Sequence, residues 1–343
     1  MDLLPPSFFV AADSENDTFD LRQYYDLCNE ITPYCPVQAT TLGYFPNRGI
    51  NIFFAIGFGL AGVTTLVLGI WKRTWSYTAF ITAGCMLEMA GYIARVPLAD
   101  NPWNKTGFQT QIVAVILAPT LVCISVYLTL KHVCLALHPG LSRVRPGLYP
   151  FIFVPLDVSC LVVQAIGGIL AASAGDNFAM LRNGNRAIIA GIALQVVVLL
   201  FFGSVAADYY VRVRSWVRVD GVHEERHHEA VSLWRDKKFR LFVYAVVGAY
   251  CGILIRCIYR IAEMAGGWGN HIMQDEPSFI VLEGFMVLIA CCLLAAFPPG
   301  FLFPQMAARM ARVENAGTEK SKHAGGVKEA TGTDHVDDVA HDC

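Results

Sequence analysis

Charge is what this sequence has least of. Asp, Glu, Lys and Arg fill 16% of its 343 positions and hydrophobic residues fill 55%, whereas an ordinary soluble domain carries about a quarter charged residues. That shortage excludes a soluble enzyme. A basic leader followed by a long apolar core is also missing: "MDLLPPSFFV" has an early acid and two prolines, which argues against a cleaved signal peptide. There is no Gly-Lys-Ser or Gly-Lys-Thr phosphate loop, which excludes ATP as an internal energy source. Tandem repetition is absent, and no histidine lies well inside an apolar run.

Apolar runs themselves are abundant. Seven approach the roughly 20 residues needed to span hydrocarbon, at 50–70, 75–95, 109–131, 149–173, 187–208, 241–264 and 278–298. They predict an all-α membrane protein, a bundle of seven transmembrane helices. Of the 26 Lys and Arg residues, 18 fall in the regions after the first, third, fifth and seventh runs. The positive-inside rule then predicts the N-terminus outside and the C-terminus in the cytosol. The expected organisation is an outer segment at 1–49, a membrane domain at 50–304 with a cytosolic loop at 209–240, and a largely disordered cytosolic tail at 305–343. The sequons at Asn16 and Asn104 fall on the expected outer side as candidate glycosylation sites. Cys28 and Cys35 lie there too, where an oxidising environment permits a disulfide, with two free thiols as the alternative. In the loop, Trp216, Val219 and Val222, then Val231, Leu233 and Trp234, recur at helical intervals and predict short interfacial helices.

The few charges inside the runs are ordered. In the sixth run, Arg256, Tyr259, Arg260 and Glu263 stand at i, i+3, i+4 and i+7, one stripe of a helix. In the second, Glu88, Gly91, Tyr92 and Arg95 repeat that spacing, and a glycine there lets another helix approach closely. Glu283 comes from the seventh. Counting positions at about 1.5 Å each places these charges in the outer half, with Glu88 near the middle. Three positive and three negative side chains predict a mutually compensated network. Such a network either locks helices together or lines an outward-facing cavity for a polar headgroup, since ionised groups at membrane depth persist where partners or function hold them. Asp157 and Gln164 share a face of the fourth run, with Asp157 in the inner half, and Pro119 with Tyr127 adds a kink and a polar tip in the third. "HEERHH" contains His223, Glu224 and His227 in a zincin-like order. Zinc catalysis needs three protein ligands, and the stretch reads as a charged loop.

Together these residues resemble the fungal lipid-translocating exporter family, the RTA-type proteins associated with 7-aminocholesterol resistance and release of sphingoid long-chain bases. The resemblance covers all seven runs. It rests on Tyr44, Pro46, Asn51 and Phe54; on Glu88, Gly91, Tyr92 and Arg95; and on Ala118, Pro119 and Tyr127. It continues through Asp157, Ser159, Gln164, Gly167 and Gly168, then Gly191 and Gln195, and finally Arg256, Tyr259, Arg260, Glu263, Gly266, Gly269 and Glu276. It implies a plasma-membrane protein that moves, or controls the movement of, amphipathic lipids such as sphingoid bases and sterol derivatives, and no enzyme. The expected lipid-contacting residues are Glu88, Tyr92, Arg95, Asp157, Gln164, Arg256, Tyr259, Arg260, Glu263 and Glu283. Membrane lipids and an amphipathic ligand are the expected partners; no nucleic acid, cofactor or metal is expected. A divergent seven-span lipid sensor, or a regulator of other translocases, is the alternative. The third run has no acidic-Arg-aromatic triplet, and the seventh has neither an Asn-Pro-x-x-Tyr pattern nor a lysine for retinal.

Overall fold

The computed structural model describes residues 28–299 except 34, 174–176, 219–224 and 268. Asn16 and the tail expected to be disordered lie outside the described residues. Among the described residues seven helices are long and apolar enough to cross a membrane, and there is no strand. These helices are α1 (Arg48–Lys72), α2 (Trp75–Arg95), α3 (Lys105–Ala136), α4 (Leu148–Ala172), α5 (Phe178–Val217), α7 (Lys237–Ala265) and α8 (Glu276–Ala296). A short α6 (Glu225–Arg235) precedes α7.

Side-chain caps set several of the starts. The Oδ1 of Asn47 accepts from the amides of Gly49 and Ile50 at the head of α1. Asn104 does the same for α3 through Gly107, Asn177 for α5 through Met180, and Asp236 for α7 through Lys238. Each satisfies a first-turn amide that the helix itself leaves open. The α1–α2 corner turns on Arg73, in the left-handed region at φ 53°.

Two helices outrun their apolar runs. The third was expected over 109–131 and the fifth over 187–208, yet α3 has 32 residues and α5 has 40. At about 1.5 Å per residue α5 reaches some 60 Å, twice the hydrocarbon thickness of about 30 Å. Hydropathy marks the part that hydrocarbon covers; the caps mark where the helix begins. Arg182 and Arg186, expected in a loop, therefore lie within α5, and the first residues of the expected loop, 209–217, continue the same helix. Basic residues near its end suit the negative pole of the helix dipole.

Packing closes the seven helices into a ring: α1 on α2, α2 on α3, α3 on α4, α4 on α5, α5 on α7, α7 on α8 and α8 back on α1, with α3 also touching α7. Close approach at two seams depends on glycine. A Cβ on Gly91 would lie 3.1 Å from Val115 and 3.2 Å from Ala114 of α3. One on Gly184 would lie 2.6 Å from the backbone nitrogen of Ala171, which ties α5 to α4. Outward faces stay apolar, as with Phe151, Ile169 and Val197, which suits contact with lipid.

At one end Cys28 and Cys35 form a disulfide with a Cα separation of 5.9 Å. The Trp103 indole donates to the Cys35 carbonyl at 3.3 Å, and the Asn101 amide to the Asn29 carbonyl at 2.8 Å, which fastens that segment to the α2–α3 connection. The Asn47 amide donates to Glu276 Oε1 at 2.6 Å, joining the heads of α1 and α8. This is the disulfide end of the bundle.

Candidate functional site

The stripe residues all turn inward. Arg256, Tyr259, Arg260 and Glu263 are buried on α7, Glu88, Gly91, Tyr92 and Arg95 on α2, and Glu283 on α8. Their pairing is narrower than a single network. Arg256 donates from Nε at 2.9 Å and from Nη2 at 2.7 Å to Glu283 Oε1, and Nη2 also donates to the Val115 carbonyl of α3. One guanidinium thus joins α7, α8 and α3. Arg260 donates to Glu263 at 2.6 Å, one turn along its own helix.

Glu88 and Arg95 fall outside both pairs, which corrects the expectation of full mutual compensation. Glu88 is 1% exposed and its Oε1 has no hydrogen-bond partner. Arg95 donates from Nη2 to the Tyr44 hydroxyl at 2.6 Å and lays its guanidinium 4.1 Å over the Phe279 ring. The two sit seven residues apart on α2, about 10 Å along the axis. Their charges balance in number and not in contact. Burial raises the Tyr44 hydroxyl above its ordinary range, against the lowering pull of Arg95, so it stays protonated as it accepts from the arginine.

Two local features set this geometry. Over Phe279–Phe285, α8 is π-helical, a widening often found at functional positions. Glu283 lies within it, and so does Gly284, where a Cβ would meet the Phe54 ring at 2.5 Å. Phe54 and Phe58 in turn pack on Tyr92, at centroid distances of 4.8 and 5.5 Å. The hydroxyls of Tyr92 and Tyr259 have no hydrogen-bond partner.

Asp157 and Gln164 sit on the inward side of α4 but join different partners. Tyr127 of α3 donates to Asp157 Oδ2 at 2.7 Å. Gln164 donates to Gln195 of α5 at 3.1 Å, and Gln195 to Thr120 of α3 at 3.2 Å. Neither meets the ionic cluster directly. Pro119 lies inside α3, next to Thr120, and α3 continues through it.

A cavity of about 20 Å³ lies at the disulfide end, walled by Tyr44, Arg95, Gln111, Arg260, Glu263 and Phe279 among others. Gln111, Tyr44 as a contact of Arg95, and Asn270, whose amide donates to the Glu263 carbonyl, were not singled out as site residues from sequence. No residue pattern marks Gln111; only the packing of α2 on α3 shows it, with its carbonyl 3.7 Å from where a Cβ on Gly91 would lie.

A family model described as RTA1 like protein matches residues 81–306. A Saccharomyces cerevisiae protein named sphingoid long-chain base transporter RSB1 is 29% identical over 282 residues, 76% of this chain and 74% of its own. Protoporphyrin uptake protein 1 from the same species is 28% identical over 240 residues, 69% of this chain and 72% of its own. The yeast protein named Protein RTA1 is 23% identical over 282 residues, 74% and 84%. No solved structure matches.

Proposed function

The chain belongs to the RTA1-like family, and from that premise we propose that it moves, or controls the movement of, amphipathic lipids across a bilayer, with sphingoid long-chain bases as the first substrate class to test. The observation that carries this reading is the long match to a relative named as a sphingoid base transporter, three quarters of each chain. Seven apolar helices and relatives named as transporters make this a multi-pass membrane protein. The buried ionic cluster supports the reading from the side of chemistry, because ionisable groups at membrane depth are costly and tend to mark substrate or ion pathways.

The proposed orientation puts the disulfide end outside, with the protein in the plasma membrane. It rests on the basic bias of the opposite flanks and on the preference of disulfides for oxidising compartments. A tail tag reached by antibody in unpermeabilised cells would reverse that orientation.

The direct test is uptake and release of labelled sphingoid base by the purified chain in liposomes. Movement above that of empty vesicles is the expected result. None, paired with a ligand-dependent cellular response, would make the protein a sensor or a regulator of other translocases.

A further inference from the structure

Arg95 poses a charge problem that the described residues do not solve. It is 1% exposed, and no carboxylate among the described residues comes within ion-pair distance of it. A phenol hydroxyl and an aromatic face are its contacts, and neither carries the negative charge that offsets a buried cation. Its Nη1 has no hydrogen-bond partner, and nor do Nη2 of Arg260 and Oε1 of Gln111. All three side chains wall the same cavity, are more than nine-tenths buried and come from three helices, α2, α7 and α3.

Such a set of groups has a definite complement. Two guanidinium edges offer N–H donors, and a fork of that kind matches carboxylate and phosphate oxygens. The Gln111 amide can turn its NH₂ end inward to add a donor. Glu263 faces the same cavity as a like charge but is held by Arg260 at 2.6 Å, so the wall keeps one net positive charge. A water fits about 20 Å³ yet leaves that charge uncompensated. The volume admits an oxygen rather than a whole headgroup, and Phe279, Met264 and Met273 in the wall suit hydrocarbon beside it.

We propose that the disulfide-end cavity is an oxyanion site, taking a carboxylate or phosphate oxygen onto Arg95 and Arg260, with Gln111 as the third contact. The inference rests on the reading of the chain as a lipid-handling protein and names the head chemistry this site selects. An ammonium head, that of a sphingoid base included, would face two arginines here and is disfavoured, so this cavity is not the place that holds the amine of such a base.

The test uses the full chain purified into nanodiscs of zwitterionic lipid, with binding followed by thermal shift and by tryptophan fluorescence. The probes are dodecyl phosphate, dodecanoate, dodecylamine and inorganic phosphate. The two acidic amphiphiles are expected to bind at least about tenfold more tightly than the amine. Gln111→Glu puts an acid into the wall without removing a hydrogen bond, and is expected to weaken acid binding at least about tenfold while ligand-free melting holds or rises, because the new carboxylate offsets the buried positive charge. Arg95→Gln should weaken acid binding likewise wherever it folds. Protection by inorganic phosphate equal to that by dodecyl phosphate would identify a free-anion site, and protection by the amphiphiles alone a lipid-head site; both support the oxyanion assignment. Equal binding of amine and acid, acid affinity unchanged in Gln111→Glu, or no ligand-dependent shift would overturn it. Sphingoid-base movement in liposomes that continues while every acid fails to bind removes this site and leaves lipid movement standing. Acid binding with no lipid movement does the reverse.

Discussion

Two polar layers cross the apolar bundle, and they are held by different chemistry. Toward the disulfide end the layer is ionic: two ion pairs, Arg256–Glu283 and Arg260–Glu263, with Glu88 and Arg95 left outside them. Deeper in the bundle the polar groups are held by two separate sets of side-chain hydrogen bonds, Tyr127 to Asp157 and the relay Gln164 to Gln195 to Thr120. In the second layer one carboxylate oxygen, Asp157 Oδ1, is without a partner; in the first, atoms of five stripe residues besides Glu283 and Gln111 are, and three of these seven side chains, Arg95, Arg260 and Gln111, line a cavity. A layer that only joined helices would resemble the second. Unmet donors beside a cavity fit a layer built around something that comes and goes.

The comparison is tested hardest at Arg256. Its guanidinium ties three helices, so Arg256→Gln leaves Glu283 buried without its cation and is expected to cost about 3–5 kcal/mol of stability. Loss of folded protein at the surface, or a collapse of the melting temperature in detergent, reads this out. The double substitution Arg256→Met, Glu283→Leu should recover most of it, since an apolar pair of similar volume often replaces a buried ion pair without loss. Failure of the double variant to recover would mean that the pair has a role beyond charge balance.

Arg260 comes next. Its acid is Glu263, on its own helix, so Arg260→Gln removes no tie between helices, and the expected loss is smaller, below about 3 kcal/mol. Adding Glu263→Gln should restore abundance; adding Glu88→Gln instead should not, because Glu88 makes no bond to Arg260. Lipid release is expected to stay impaired in both double variants. Full recovery of release with Arg260→Gln, Glu263→Gln would reduce this pair to charge balance within α7.

Which residues face inward was legible in the sequence, and which residues pair was not. Spacing at i, i+3, i+4 and i+7 fixes a face of a helix, and every residue of both stripes is buried as that rule requires. Partnership depends on helix rotation and on loops. Arg256 reaches a glutamate 27 residues away from a π-helical stretch that no residue pattern announced, and Arg95 is drawn toward Tyr44 from the segment before α1. The hydrogen-bonded layer was harder still to see: Thr120 and Gln195 are ordinary polar residues in apolar helices, and only the ring order of α3, α4 and α5 brings them within reach of Gln164. The seven spans were legible because hydrocarbon thickness imposes them. The extra turns of α5 were not, because no hydrocarbon covers them.

In the deeper layer, Tyr127→Phe removes the donor from Asp157 and leaves a buried carboxylate with no side-chain partner. A hydrogen bond to such a group is worth about 1.5–3 kcal/mol, so a clear drop in melting temperature is expected, short of that in Arg256→Gln. A drop as large would mean that this layer too depends on charge.

The smallest effect is expected at Gln195, where the two layers differ most. Gln195→Met removes a neutral side chain that accepts from Gln164 and donates to Thr120, and no charge is stranded. Hydrogen bonds between helices in a membrane average about 0.6 kcal/mol and reach about 1.7. Two of them predict a loss near 1 kcal/mol, partly offset because methionine fills the same volume and adapts to irregular gaps. Melting temperature and labelled-lipid movement should be measured on the same preparation. A loss near 1 kcal/mol with movement intact leaves the relay as helix-joining structure. Movement abolished in a variant that melts like the parent would place Gln195 on the lipid's path and make the distinction between the layers one of depth rather than of role.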